Sequence, residues 1–161
     1  MQLSTQISGL KELEQALQGL EKKLATKIAR RAVAKGAGLI RNEARTRAKA
    51  QGLVNSGALA RNIALKRETK TARTRTEYHV GVRHGKTAKN AKKIQVVRKG
   101  KLRTLYSNDP FYWWFWEFGH QNMLTRKREQ KPFLRPAYEA KREAAAQMIA
   151  DTLRTELLKA R

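Results

Sequence analysis

Residues 10–49 have the sequence LKELEQALQGLEKKLATKIARRAVAKGAGLIRNEARTRAK, and this segment decides the fold. Leucine and isoleucine recur three or four positions apart over its first half, at Leu10, Leu13, Leu17, Leu20, Leu24 and Ile28. That spacing places them on one face of an amphipathic α-helix. The pattern continues more weakly afterwards. It predicts one long helix from Leu10 to about Lys49, bent near Gly36 and Gly38.

Small side chains form the second half of the apolar stripe on this predicted helix. They are Ala29, Ala32, Ala34, Gly36, Ala37 and Gly38. A helix face with so little side-chain bulk lets another backbone come close to it. We therefore expect either the domain's own sheet or another subunit to pack against this face.

The rest of the chain predicts short strands and a second helix. Alternation of apolar and polar residues predicts strands at residues 1–7, 62–66 and 76–83. Residues 111–118, FYWWFWEF, hold seven of the protein's 11 aromatic residues, and this density favours a further strand. An amphipathic helix is predicted from Pro136 onward, since proline suits the first helical position.

Composition limits the possible classes of protein. The 161 residues suit a single domain spanning 1–161, with 36 Lys and Arg against 13 Asp and Glu, a net charge of +23. A charge of this size implies an acidic partner, which is nucleic acid, an anionic surface or an acidic protein. The absence of cysteine excludes disulfides and thiolate metal sites. We expect no membrane span and no secretory signal, because no apolar run is long enough.

Two groups of basic residues are candidates for contact with that partner. Residues 84–108 contain eight Lys and Arg and no acid, which predicts an extended, flexible basic loop with a β-ribbon around 94–106. Basic residues on the first helix recur in a ridge, which could also be a solvated helix face. The candidate contacts are Lys27, Arg31, Lys35, Arg41, Arg45 and Lys49 on the helix, and Lys92, Lys93, Arg98, Lys99, Lys101 and Arg103 in the loop.

Residues suited to catalysis or metal binding form no recognisable pattern. The three histidines are far apart, and no phosphate-binding glycine loop or serine nucleophile motif is present. Glu117 is an isolated acid within the aromatic run, and we expect an Arg or Lys to pair with it. We therefore expect no catalytic residue, no cofactor and no metal, and a protein that is not an enzyme.

Three segments in order nevertheless resemble one family. The first is Gly9-Leu10-Lys11-Glu12-Leu13, which opens the long helix, and the second is Ser56-Gly57-Ala58-Leu59-Ala60-Arg61-Asn62-Ile63. The third combines Tyr112, Phe115 and Glu117-Phe118-Gly119 with Pro132-Phe133-Leu134-Arg135-Pro136-Ala137. Together they are similar to the head–tail joining and tail-completion proteins of long-tailed phages and prophages. His120 stands where that family usually has threonine, and Trp113, Trp114 and Trp116 replace smaller residues.

The resemblance implies an α+β fold, with a small antiparallel β-sheet packed by a long N-terminal helix, and a C-terminal helix. It implies a virion structural protein of the head–tail interface or tail terminus, which acts by assembling into a homo-oligomeric ring such as a hexamer. Its partners would be neighbouring head–tail connector and tail tube proteins, with genome DNA as a further, non-specific partner. It would reside in the virion, and in the host cytoplasm during assembly. The alternative is a sequence-independent nucleic-acid-binding protein.

The aromatic run is the expected assembly surface. In a strand its side chains would alternate between two faces, and both faces would be bulky and apolar. We expect Phe115 to face the core, and Trp114 and Trp116 to face a partner. The residues expected at the oligomer or partner interface are Trp113, Trp114, Trp116, Phe118, Phe133 and Arg135.

Overall fold

A computed structural model describes residues 9–20, 22–53, 56–69 and 75–160, and shows the expected α+β fold. The helices are α1 (Leu10–Gln18), α2 (Lys22–Ala50), α3 (Ala58–Asn62), α4 (Trp113–Phe118) and α5 (Leu134–Leu158). The strands are β1 (Ile63–Arg67), β2 (Tyr78–Val82), β3 (Lys93–Arg98), β4 (Lys101–Tyr106), β5 (His120–Gln121) and β6 (Arg128–Glu129). The strand predicted at residues 1–7 lies outside the described residues.

The predicted first helix is divided in two. Helix α1 ends at Gln18, where the backbone N–H of Gly19 donates to Gln15, and α2 begins at Lys22. Glycine is the weakest helix former after proline, which explains an end at this point rather than a continuous helix. Helix α2 continues without interruption through Gly36 and Gly38, and the bend expected there stays a prediction.

Helices α2 and α5 pack antiparallel and form the main body of the fold. Arg31, early in α2, bonds to Glu156 late in α5, whereas Gln51, just after α2, donates to the carbonyl of Pro132 just before α5. A Cβ added at Gly36 would lie 2.7 Å from the Ala145 carbonyl oxygen. Helix α5 therefore covers the small-residue face of α2 at Gly36, and the β1–β2 sheet also packs on α2. The expected close neighbour at Gly36 is thus α5, a helix rather than the domain's own sheet.

Within the described residues, the strands form three separate two-stranded antiparallel sheets. Strands β1 and β2 confirm the predictions at 62–66 and 76–83, and pair Leu65 with Val80. They pack on α2, and the Arg45 guanidinium donates two hydrogen bonds, of 3.1 and 2.7 Å, to the Ile63 carbonyl. Strands β3 and β4 form the ribbon expected within residues 84–108, and pair Val97 with Leu102.

The main core lies where the ends of α2 and α5 meet α3 and the β1–β2 sheet. Its buried residues are Ala44, Ala48, Leu53, Leu59, Ile63, Phe133 and Ala137. Helix α4 packs Trp113 and Trp116 against this cluster. Alanine at so many buried positions brings the helices close together, because the interaxial distance depends on side-chain size at the contact.

The aromatic run is a helix, and the strand predicted at residues 111–118 was wrong. Helical spacing places Trp113, Trp116 and Glu117 on one side, whereas a strand would place Trp113 and Trp116 on opposite faces. Only the helical arrangement turns both indoles toward the core and also brings Glu117 to the start of α5. This tertiary demand outweighs the strand preference of aromatic residues, which depends on context.

Candidate functional site

Helix α4 and Phe111, which precedes it, present an exposed apolar surface that we call the aromatic face, formed by Phe111, Trp114, Phe115 and Phe118. These four side chains are 64%, 48%, 36% and 54% exposed. The Trp114 and Phe115 rings stack with centroids 4.4 Å apart. Phe115 therefore lies on the exposed side with Trp114, and the expectation that it faces the core was wrong.

The opposite side of α4 belongs to the protein's own core. Trp113 and Trp116 are half-buried and pack against the core cluster, and Phe133 is fully buried. The Trp116 ring also meets His120 edge-on, with centroids 4.8 Å apart. Of the six expected interface residues, the structure brings Trp114 and Phe118 together on the surface. Trp113 and Trp116 are half-buried against the core cluster, Phe133 is fully buried, and Arg135 is exposed at the start of α5.

Glu117 closes the joint between α4 and α5. One carboxylate oxygen, Oε2, accepts hydrogen bonds from the backbone N–H groups of Phe133 (2.8 Å) and Leu134 (2.9 Å), and Oε1 accepts one from Arg135 (2.9 Å). The first N–H groups of a helix have no partner within the helix, and the helix dipole favours an anion there. The expected Arg or Lys partner of Glu117 was therefore wrong, because the start of α5 takes its place.

Two further hydrogen bonds join α4 to the segment that returns to α5. The side chain of Gln130 donates to the Glu117 carbonyl (3.0 Å), and the Lys131 backbone N–H donates to the Trp116 carbonyl (2.9 Å). The Lys131 ammonium also lies 5.4 Å from the centre of the Trp116 ring, within the range of a cation–π contact. The C-terminal end of α4 is therefore fixed to the segment that leads into α5.

The basic residues of α2 do not form one free ridge. Arg31 pairs with Glu156 at 2.8 Å, and Arg45 bonds to the Ile63 carbonyl, so both have structural partners. Burial is the main cause that lowers the pKa of Arg45, and the nearby Arg41 guanidinium lowers it further. Lys27, Lys35 and Lys49 are exposed. Exposed positive charge on this helix therefore includes these three lysines together with Arg30 and Arg31.

The β3–β4 hairpin carries the second group of basic residues. Every residue from Lys92 to Leu105 is exposed, including Lys93, Arg98, Lys99, Lys101 and Arg103. Among the described elements, its closest neighbour is the short 3₁₀ turn Gly85–Thr87. Val97 and Leu102, which pair across the strands, are 69% and 65% exposed. The hairpin is therefore a basic arm with exposed apolar side chains.

Sequence reasoning missed two surface features that the structure reveals. The turn between β5 and β6 exposes Met123 and Leu124, each 94% exposed. A largely apolar groove of about 420 Å³ lies between α2, β2 and the start of α5. The two adjacent apolar residues in a polar loop were the only signal for the turn. The groove brings together segments from three distant parts of the chain, so no local pattern could show it.

The described part of the chain shows neither a cluster of metal ligands nor a membrane-spanning helix. No group of three His, Cys, Asp or Glu side chains there could hold a metal ion. None of the described helices combines the length and hydropathy needed to cross a bilayer. His79 lies 3.9 Å from a Glu68 carboxylate oxygen, and His120 packs against aromatic rings.

Comparison with known proteins identifies the family. Residues 11–119, about two thirds of the chain, match the HK97-gp10-like family model, described as "Bacteriophage HK97-gp10, putative tail-component". No curated protein and no solved structure matches the chain. The match includes α1 to α4 and ends at Gly119, immediately after the aromatic face. The chain therefore belongs to the HK97-gp10-like family of phage tail components.

Proposed function

We propose that the protein is a structural subunit of the head–tail interface or tail terminus of a phage, and that it acts by assembling into a ring and not by catalysis. Membership in a tail-component family supports a structural role in the virion. The observation that carries the proposal is the aromatic face, with Trp114 and Phe118 about half exposed.

An aromatic face of this kind fits an assembly surface. Large contiguous apolar patches on a protein surface mark interaction sites, and tryptophan is among the residues that dominate interface energies. The backbone beneath the patch is fixed by the Glu117 bonds, so little conformational entropy is lost when a partner covers it.

The distribution of charge supports acidic neighbours around the ring. The exposed lysines of α2 and the basic hairpin would contact the connector or tail tube proteins above and below, or genome DNA in the channel. Positive charge on this scale also opposes self-association, so assembly requires the apolar contact to outweigh the repulsion at physiological salt.

Paired variants of the purified protein test this proposal. Replacement of Trp114 and Phe118 by serine should leave a cooperative thermal unfolding transition but abolish oligomers in multi-angle light scattering. Leu158→Ser is the matched control, because Leu158 is 73% exposed at the far end of α5. The control should assemble normally. Unchanged assembly of the double variant would place the ring interface elsewhere.

Sequence-independent binding of nucleic acid is the second candidate function. The net charge of +23 and the acid-free hairpin favour it. Lysine and arginine contacts to phosphate release counterions, so the logarithm of the affinity should fall linearly with the logarithm of salt concentration, without preference among duplexes. Tight binding by a monomer that never assembles would favour this function over the ring.

A further inference from the structure

We propose that the β3–β4 hairpin is an arm that binds duplex DNA through the face carrying Arg98, Lys101 and Arg103. The inference rests on the proposed function, which gives the hairpin acidic proteins or genome DNA as neighbours, and it selects DNA. Four features of the hairpin support this choice: its strand register, the backbone of its turn, its charge and the way its base is held.

The strand register gathers cations on one face of the hairpin, near its tip. Arg98 pairs directly with Lys101, so the two side chains project from the same face. Arg103 lies two residues after Lys101 in β4 and shares that face, about 7 Å away along the strand. Like charges that lie directly opposite each other destabilise a sheet, so this face is suited to an anion that separates them. The remaining positions of the face are Ile94, Val96 and Leu105.

The turn at the tip holds a further cation in a conformation that lysine rarely adopts. Lys99 and Gly100 have φ angles of 52° and 70°, the left-handed values that a two-residue hairpin turn requires. Asparagine or aspartate is the usual residue before the glycine of such a turn. Lys99 therefore adds positive charge to the tip at a cost in backbone strain, and strain of this kind is typical of residues that contact a ligand.

No described carboxylate offsets the charge of the hairpin. Residues 84–108 contain no Asp or Glu. None of the ion pairs among the described residues includes a side chain from this segment. An acidic protein surface also presents cations, and a complementary arm would carry some acids to meet them. DNA presents only phosphates, at high density. The absence of acids therefore favours DNA over an acidic protein.

The base of the hairpin is held to the core by a buried side chain. The Asn62 side-chain oxygen accepts a hydrogen bond from the Lys89 backbone N–H (2.6 Å), and its nitrogen donates to the Asn108 carbonyl (3.0 Å). Asn62 is fully buried, so it fixes the chain on both sides of the hairpin. The Lys92 N–H then donates to the Ser107 hydroxyl, and the Ser107 N–H donates to the Lys92 carbonyl, both at 2.9 Å. An arm held at its base loses less entropy when its tip binds.

Beyond this base the hairpin has the shape of a ribbon that fits a duplex. Every residue from Lys93 to Leu105 is exposed. Each strand has six residues and is therefore about 20 Å long, and paired strands lie about 4.8 Å apart. The major groove of B-form DNA admits a two-stranded β-ribbon, and its rims carry the phosphates. The cations of the face can therefore reach phosphates without any change in the fold.

Fluorescence anisotropy with a mixed-sequence DNA duplex, titrated at several salt concentrations, tests the inference. The arm variant carries Arg98→Ala, Lys101→Ala and Arg103→Ala. The matched control removes three exposed charges from α2 instead, through Lys27→Ala, Lys35→Ala and Lys49→Ala. We expect the arm variant to reduce the slope of log affinity against log salt by about 2–3, and the control by less than about 1. Equal changes would show that only net charge matters and would overturn the inference.

Competition separates DNA from an acidic protein as the partner of the arm. Polyglutamate should displace the labelled duplex from wild type only at a much higher charge concentration than unlabelled duplex requires. Equal displacement by the two competitors would assign the arm to acidic proteins and refute its assignment to DNA.

Chemical footprinting gives a readout that needs no variant. A saturating concentration of the duplex should slow acetylation of Lys99 and Lys101 several-fold, as measured by mass spectrometry. Lys27 and Lys35 on α2 should react at nearly the rate found in the free protein. Uniform protection of all four lysines, or protection confined to α2, would contradict the inference.

Light scattering distinguishes failure of this inference from failure of the proposed function. The arm variant should assemble as wild type does, because its three changes leave the aromatic face intact. If wild type forms rings and the arm variant binds DNA as tightly as wild type, the ring stands and the arm is refuted. If wild type stays monomeric and the arm variant loses DNA binding, the arm stands and the ring is refuted.

Discussion

The carboxylate oxygen Oε2 of Glu117 lies 2.8 Å from the backbone nitrogen of Phe133, and this bond joins the two halves of the segment that resembles tail-completion proteins. Glu117 belongs to the Glu-Phe-Gly part and Phe133 to the Pro-Phe-Leu-Arg part, and the two residues are 16 positions apart in the sequence. One part supplies the anion and the other supplies the helix start that needs it. Their occurrence together in one chain therefore has a physical cause.

Removal of the Glu117 carboxylate should destabilise the whole protein. Glu117→Ala leaves the backbone N–H groups of Phe133, Leu134 and Arg135, at the start of α5, without their acceptor, and each bond to a charged group is worth about 1.5–3 kcal/mol. We expect a loss of about 3 kcal/mol or more, or roughly 6–12 °C in melting temperature. Glu117→Gln keeps the shape of the side chain without its charge, so its melting temperature should lie between those of wild type and Glu117→Ala. A Glu117→Ala protein with the wild-type melting temperature would contradict this role.

The two glycines of α2 should respond in opposite directions to alanine. At Gly36 a Cβ would lie 2.6 Å from the Ile149 side chain and 2.7 Å from the Ala145 carbonyl, so α5 must move. We expect Gly36→Ala to lower the free energy of unfolding by about 1–3 kcal/mol. At Gly38 nothing lies within 4 Å, and Gly38→Ala should raise it by up to about 1 kcal/mol. Urea unfolding of both variants measures the difference, and equal effects would refute the close α2–α5 contact.

The ion pair between Arg31 and Glu156 should stabilise the folded protein in a pH-dependent way. The hydrogen bond from Arg31 is the main cause that lowers the pKa of Glu156 below its ordinary value. A carboxylate with a lower pKa in the folded state contributes stability above its unfolded pKa of about 4.3 and loses it as the pH falls through the folded value.

Comparison of wild type with Glu156→Gln measures this effect. The difference in unfolding free energy should be largest near pH 7 and should shrink below about pH 4. Glu143→Gln is the control, because the Glu143 side chain is 75% exposed and lies 3.8 Å from Arg142. A difference for Glu156→Gln that stays constant with pH would show that the ion pair adds no stability.

The β3–β4 hairpin should be the first site of limited trypsin digestion in the unassembled protein. Its turn exposes Arg98, Lys99 and Lys101, and among the described elements no helix covers it. Segments with little buried apolar surface open most easily, and cleavage follows such opening. Mass spectrometry of the first fragments should place the cuts in this turn. First cuts within α2 or α5, with the hairpin intact, would contradict the expectation.

Local patterns were sufficient for elements whose formation depends on their own residues. The alternation at Tyr78, Val80 and Val82 predicted β2, and the ribbon within the basic segment was also foreseen. Helix α5 begins at Leu134, two residues before the predicted start at Pro136, and this difference is within the usual variation of helix ends.

Other features depended on contacts between distant residues, and local patterns could not show them. Glu117 is held by backbone groups of Phe133 and beyond, so the helical form of the aromatic run follows from a contact that no short window contains. The stripe around Gly36 correctly indicated a close approach, but only the fold identifies α5 as the neighbour. The division of Trp114 and Trp116 between surface and core has the same origin.

A cryo-EM map of the phage particle tests ring assembly at the head–tail interface or tail terminus most directly. We expect density for this chain as a closed ring at one of these two places, with the Trp114 and Phe118 side chains covered by a neighbouring subunit. Absence of the chain from the particle, or copies distributed singly along packaged DNA, would contradict the proposed function.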